Sequence, residues 1–280
     1  AGGYGTGNDF GNTLFSKLLN IYVDTNIGMP SIEIMIISSI LKKNHSVHYT
    51  RNLKDKEIEN CDFIILPSSI IAHETELKAL NQLKTKKIFV TGIFATTKKD
   101  EYLKENSIVV KNESDTFFYN LEKSNNLNLS FLNELFNKKD LINDFYSPVE
   151  LDDFPYPDWG SYTKKFPLRN DFFSLNQKIA VPLLGTRGCP YSCFFYCTYP
   201  LQQGRKVRAR SVENIIDEIK YWKKELGTNK FVFRDPVFSI NRKHTIEFCK
   251  KVIDEKLDIT FMVETHLNNL DDEMIPLLRK

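Results

Sequence analysis

The sequence lacks an excess of either charge. Its 38 Lys and Arg against 36 Asp and Glu leave a formal +2 over 280 residues. Bulk electrostatics is thereby removed as the main grip on nucleic acid or on a membrane surface, while local basic patches stay open. Long apolar runs are missing as well. The longest, residues 34–41, ends on Lys42 and Lys43 and falls far short of the roughly 20 residues that a membrane span requires; it reads as a buried helix. No basic n-region followed by an apolar h-region opens the chain, so nothing points to secretion. An even set of cysteines is also absent. There are five, Cys61, Cys189, Cys193, Cys197 and Cys249, and three of them crowd into residues 189–197, where they cannot sensibly pair as disulfides. A reducing cytoplasm is the expected setting.

What is present is the composition of an ordinary folded protein, 41% hydrophobic, 12% aromatic and 26% charged, long enough for about two domains. Residues 1–125 alternate between apolar runs suited to buried strands, at 18–23, 47–50, 62–66, 87–91 and 108–110, and helix-period segments, clearest at 31–41 and 75–83. This rhythm predicts an α/β domain with a five-stranded parallel sheet, helices on both faces, and a ligand crevice at the strand C-terminal ends. Those ends carry Asp24, Ser68, Ser69, Gly92, Thr96 and Asn112. Residues 126–177 gather Pro148, Pro155, Pro157 and Pro167 among Phe154, Tyr156 and Trp159, which reads as an ordered linker, because Pro and aromatics favour docking over free coil.

Residues 178–280 resume the β/α rhythm. A strand is expected at 179–184. Ser211 caps a helix whose apolar positions Val212, Ile215, Ile216, Ile219, Trp222 and Leu226 follow the 3.6 period, and Gly227 stops it. A strand at 230–233 precedes a helix opened by Asn241, and a third strand at 259–264 precedes a helix capped by Asp271, with Leu270 and Ile275 placed as a hydrophobic staple. Three β/α units make up about half of a parallel barrel. A chain truncated within its barrel is therefore expected, in keeping with an opening Ala1 instead of Met. The alternative is a three-stranded lobe that completes its sheet by dimerising.

The chemistry concentrates in Gly188-Cys189-Pro190-Tyr191-Ser192-Cys193-Phe194-Phe195-Tyr196-Cys197, directly after the first strand of the second half, where parallel β/α folds place their sites. Three thiolates from one short loop can hold three irons of a 4Fe–4S cube and leave the fourth iron open to a small molecule. Gly188 and Pro190 suit a non-helical loop, and Phe194, Phe195 and Tyr196 would exclude water. Two other readings stay open. Zinc would need a fourth ligand such as His244 or His266 from elsewhere. A core stripe would place the cysteines at i, i+4 and i+8 on one helix face.

The loop resembles that of the radical S-adenosylmethionine superfamily, usually Cys-x3-Cys-x2-Cys with an aromatic before the last cysteine. Tyr196 takes the aromatic place, and the spacing here is one residue longer, Cys-x3-Cys-x3-Cys. The first domain and the stretch Leu151-Asp152-Asp153-Phe154-Pro155-Tyr156-Pro157-Asp158-Trp159 are similar to the branch that sets a cobalamin-binding-type domain before the barrel. The resemblance implies a Rossmann-like (flavodoxin-like) domain over 1–125, a linker over 126–177, and over 178–280 the N-terminal half of a radical-SAM partial barrel. It implies a 4Fe–4S cluster on Cys189, Cys193 and Cys197, S-adenosylmethionine beside it, and a small-molecule or biosynthetic-intermediate substrate. A reductant protein such as flavodoxin or ferredoxin would supply the electron.

Phe233-Arg234-Asp235 and Glu264-Thr265-His266 resemble places where relatives contact S-adenosylmethionine. A carboxylate at Asp235 or Glu264 suits its ammonium and ribose hydroxyls. The plainer readings are a turn residue before Pro236 for Asp235, a solvent-facing strand end for Glu264, and a polar loop residue for His266. Arg205, Lys206, Arg208 and Arg210 could hold the cofactor carboxylate or a phosphorylated substrate, Arg208 being the site candidate, or form a solvated strip. Cobalamin is an optional third cofactor, with Ser68, Gly92 and Thr96 as its candidates. The stretch Asp24-Thr25-Asn26-Ile27-Gly28 lacks the histidine of the base-off motif, and the stretches around Gly92 and Asn112 carry fewer glycines than the branch does. The competing function is a zinc-stabilised binding module without catalysis.

Overall fold

The computed structural model describes residues 13–18, 31–70, 72–137, 148–166, 168, 179–193 and 197–280. It divides into two compact units, residues 1–149 with 155–166, and residues 150–154 with 167–280. The Pro- and aromatic-rich stretch is thus shared between the two.

In the first unit, β1 (Phe63–Pro67), β2 (Lys87–Thr91) and β3 (Ser107–Val109) form a parallel sheet in that order, with Ile65 opposite Phe89 and Phe89 opposite Ile108. β2 is central, and its alternation feeds two cores. Ile88 and Val90 belong to a cluster with Leu80, Ala95, Tyr102 and Val109. Phe89, between them, meets the rings of Phe63, Phe118 and Phe136. A strand buried on both faces reads as an unbroken apolar run, which is why this one was legible. Helix His73–Gln82 crosses from β1 to β2. Residues 47–50, expected as a strand, join no ladder among the described residues. Most of 18–23, the expected first strand, and Asp24 lie outside them. The described sheet is therefore three-stranded, short of the expected five.

Helix Ile32–Leu41 buries Met35, Ile36, Ile37 and Ile40, and its polar side grips the Pro-rich stretch. The Asp158 N–H donates to Met35 O (3.1 Å), and Ser39 Oγ donates to Tyr156 O (2.6 Å). Asp158 accepts from Tyr49 Oη (2.5 Å) and Ser38 Oγ (3.0 Å) and pairs with Lys42. Burial alone would raise its carboxyl, but Lys42 and Tyr49 outweigh that and hold it below the usual carboxylate range. A depressed carboxyl contributes stability above its unfolded value and loses it as pH falls through the folded one. Asp158→Asn should therefore cost about 1–3 kcal/mol in urea unfolding at neutral pH. The deficit should close as the pH falls through the lowered native carboxyl; one that persists in strong acid would place the stabilisation in packing alone.

In the second unit, β4 (Ala180–Leu183), β7 (Lys230–Phe233) and β8 (Thr260–Met262) form a parallel sheet with β7 central, and β5 (Thr186–Arg187) pairs antiparallel with β6 (Arg208–Ala209). The helices start and stop where the capping residues predict. Ser211 accepts the Asn214 N–H, Gly227 ends helix Val212–Leu226 in the left-handed conformation, and Asn241 accepts the His244 N–H to open helix Arg242–Asp254. Asp271 accepts from the N–H groups of Glu273 and Met274. The expected staple partner differs: Ile275 is 52% exposed and Met274 is buried instead. Below the sheet Phe233, Phe238, Phe248 and Phe261 pack edge to face.

Candidate functional site

β4 and β7 end in register, Leu183 opposite Phe233, and the Arg234 N–H extends the ladder to Leu183 O (2.8 Å). The chain leaving β4 passes through Leu184, Gly185 and the short strand β5 to reach Gly188 and Cys189. Gly188 has φ +87°, and a Cβ there would sit 2.1 Å from Lys206 O. Only glycine lets the two backbones touch. The contact continues as the Cys189 N–H donates to Gly204 O (3.1 Å) and the Gly188 N–H to Gln203 Oε1 (3.1 Å). Arg205 then reaches over the loop, donating to Pro190 O (3.4 Å), Tyr191 O (3.3 Å) and Ser192 Oγ (3.2 Å).

The three loop thiols are graded in exposure: Cys189 buried, Cys197 half-buried, Cys193 exposed. Burial pushes the Cys189 thiol up, and the thiols of Cys197 and Cys193 push it further, while the Tyr191 N–H and Arg205 pull it down. The three sulfurs are thus electrostatic neighbours. They are not gathered into one coordination sphere, since among the described residues no three Cys, His, Asp or Glu side chains close around a single ion. Tyr196, Phe194 and Phe195 lie outside the described residues. The two remaining cysteines stand apart from this loop: Cys61 follows helix Lys56–Asn60 in the first unit, and Cys249 is buried in helix Arg242–Asp254, where desolvation pushes its thiol up to about 11.

Around the loop, the other candidates divide. His266 is brought to it: its ring stacks on Tyr191 with centroids 5.2 Å apart, and Tyr191 Oη donates to Asn269 Oδ1 (2.8 Å). Glu264 is 55% exposed and pairs with Arg234 at 3.3 Å. Asp235 faces inward. It is 2% exposed, its Oδ1 accepts the Gly185 N–H (2.7 Å), and its Oδ2 accepts the Thr186 hydroxyl (2.8 Å). Burial pushes its carboxyl up to about 6 against those two donors and Arg210. It therefore latches the chain leaving β4 to the end of β7. The four cations after the loop are no uniform strip. Arg205 covers the loop, Arg208 Nη2 donates to Gln203 O (3.3 Å), and Arg210 is buried against Glu218 at 2.5 Å. Sequence reasoning missed Glu218, whose signal was a lone acid on the apolar face of helix Val212–Leu226.

In the first unit, Ser68, Gly92 and Thr96 do converge at the ends of β1 and β2, but on one another. Ser68 Oγ accepts the Ala95 N–H (2.9 Å), a Cβ at Gly92 (φ +99°) would lie 2.9 Å from Ser68 Oγ, and Thr96 Oγ1 donates back to Gly92 O (3.3 Å).

Fold and loop define a two-unit α/β protein with parallel sheets that presents three thiols at the C-terminal end of a strand. No family model matches the chain. It is 30% identical over 135 residues to an anaerobic magnesium-protoporphyrin IX monomethyl ester cyclase of Rubrivivax gelatinosus, covering 48% of this chain and 23% of that protein. To the protein of the same name from Cereibacter sphaeroides it is 27% identical over 235 residues, 77% of this chain and 37% of the relative. Its fold is similar to the radical S-adenosylmethionine methyltransferase TsrM of Kitasatospora setae, solved with cobalamin and a 4Fe–4S cluster, at TM-score 0.57 and 11% identity over 90% of this chain and 56% of that one. The chain thus spans about a quarter to a third of these curated relatives and about half of the solved one. Its similarities thus run to methyltransferases and cyclases, and its fold to a radical S-adenosylmethionine methyltransferase.

The glycine contact makes a graded prediction. Gly227, at φ +61°, has nothing within 4 Å of an added Cβ, so Gly227→Ala should cost only the left-handed backbone, about 1 kcal/mol. Gly188→Ala adds a backbone collision and should cost about 3 kcal/mol or more. Thermal unfolding of the two variants checks the order; equal losses would show that the loop yields freely.

Proposed function

We propose that the chain binds a 4Fe–4S cluster through Cys189, Cys193 and Cys197 and binds S-adenosylmethionine beside it. The reaction class is radical chemistry on a small-molecule substrate, with methyl transfer as the finer reading. The observation that carries this is the loop itself: three cysteines within nine residues, entered from β4 through the tight contact at Gly188. The names of the relatives support it.

Such a cluster, when bound, would supply the one-electron reduction that splits S-adenosylmethionine into methionine and a 5'-deoxyadenosyl radical able to take hydrogen from an unreactive position. The residues of this chain bind and position. The cysteines supply three thiolates. Gly188 and Arg205 set the loop's path, and Tyr191 on His266 ties it to the end of β8. Arg208 is the candidate for the methionine carboxylate, being suited to bidentate contact. Glu264, exposed at the end of β8, is the candidate for the ammonium or ribose hydroxyls, with His266 beside it. Tyr196 keeps its proposed place flanking the cluster. The electron would come from a reductant such as flavodoxin or ferredoxin. For cobalamin, Ser68, Gly92 and Thr96 at the ends of β1 and β2 remain the candidates.

No described helix is long and apolar enough to cross a membrane. The domain reading we carry forward is a cobalamin-type unit followed by a cluster-bearing β/α unit, working in a reducing cytoplasm.

Anaerobic reconstitution with iron and sulfide should give a brown protein with about four irons per chain, whose paramagnetic resonance spectrum changes when S-adenosylmethionine is added. Cys189→Ala, Cys193→Ala and Cys197→Ala should each lose the cluster, while Cys61→Ala and Cys249→Ala keep it. A colourless protein holding one zinc would favour the binding-module reading.

A further inference from the structure

We propose that Asp235 is a positioning residue for the cysteine loop: together with Arg210 it clamps residues 184–186 and so fixes where Cys189 leaves β4. What the loop holds rests on the function proposed above; the clamp itself does not.

The polar groups between β4 and the loop are taken by two residues. Asp235 accepts the Gly185 N–H at 2.7 Å and the Thr186 hydroxyl at 2.8 Å. From the other side, Arg210 donates its backbone N–H to Gly185 O (2.9 Å) and its Nη1 to Leu184 O (3.1 Å). Neither clamp residue is free to drift. Asp235 follows the central strand β7, whose last residues are still in ladder register with β4. Arg210 is held by Glu218 and by Asn214 Oδ1 (2.8 Å). The space is closed as well, since a Cβ on Gly185 would meet Asp235 Oδ2 at 3.1 Å and Ile215 Cδ1 at 3.3 Å.

Charge-assisted bonds of this kind are about twice as strong as neutral ones, and here they act three to five residues before the first thiol. Losing them frees the segment that aims Cys189 while all three loop cysteines stay in place. A residue that merely supported the whole unit would loosen its core everywhere; a positioning residue loosens the loop alone.

The two buried cysteines of this unit make that distinction measurable. Cys189 is 4% exposed and Cys249 is 3% exposed, one on the loop and one in the helical core. In the metal-free full chain, alkylation by iodoacetamide is followed at each thiol by mass spectrometry. Asp235→Ala and Thr186→Val should raise the Cys189 rate by about tenfold or more, while Cys249 changes by less than about twofold. Asp235→Asn, which keeps an acceptor for the Gly185 N–H, should rise less than Asp235→Ala. Thr186→Val carries the test if Asp235→Ala fails to fold. Parallel acceleration at both thiols, or an unchanged Cys189, overturns the proposal. Iron uptake by the unmodified chain is read separately: its failure would sink the cluster reading and leave the labelling result to judge the clamp.

Discussion

Everything at the mouth of the second sheet depends on two stretches of backbone lying in contact, one entering the cysteine loop and one leaving it. Gly188 and Lys206 meet so closely that the position of a single absent methyl group decides the path. Hard-core repulsion rises far more steeply than any polar bond weakens, so this contact fixes the loop entry more firmly than the hydrogen bonds around it. Those bonds then act as refinements: the Cys189 amide on Gly204, and Arg205 across three acceptors. The gradient from buried Cys189 to exposed Cys193 follows from this entry.

The legible parts of the fold were those whose signals are local. Residues 87–91 and 230–233 were read as strands to the residue, because each is an apolar run with sharp edges. Ser211, Gly227 and Asn241 marked helix ends because capping chemistry involves only neighbours three or four residues away. Residues 47–50 misled for the opposite reason: alternating exposure can arise without a ladder. In the last helix, Met274 was buried in place of Ile275, a choice set by packing that periodicity does not see.

Charged residues were the least legible, and Asp235 shows why. In sequence it precedes a proline and ends a strand, which suits a turn or an exposed acceptor equally well. Its actual role is set by Gly185 and Thr186, about 50 residues earlier in the chain, and no local pattern encodes that pairing. The four cations after the loop repeat the lesson. Arg205, Arg208 and Arg210 sit within six residues, yet one covers the loop, one bonds the Gln203 carbonyl and one is buried on Glu218. Arginine's fork serves each of these uses, so residue type alone does not separate them.

The arrangement of the thiols bears on what they can hold. A single zinc ion bonds sulfur at about 2.3 Å, which in a tetrahedron brings its sulfurs to about 3.8 Å of one another. Among the described residues no such gathering exists, and three sulfurs would still lack a fourth partner. An iron–sulfur cube divides its ligands among different metal atoms, so the sulfurs stay apart and need only line a common rim. A stiff entry at Gly188 and a clasp at Arg205 set the path of the loop that carries the cysteines, which suits the cube we propose. In the cluster proposed above, three cysteines from one loop would leave a fourth corner without a protein ligand.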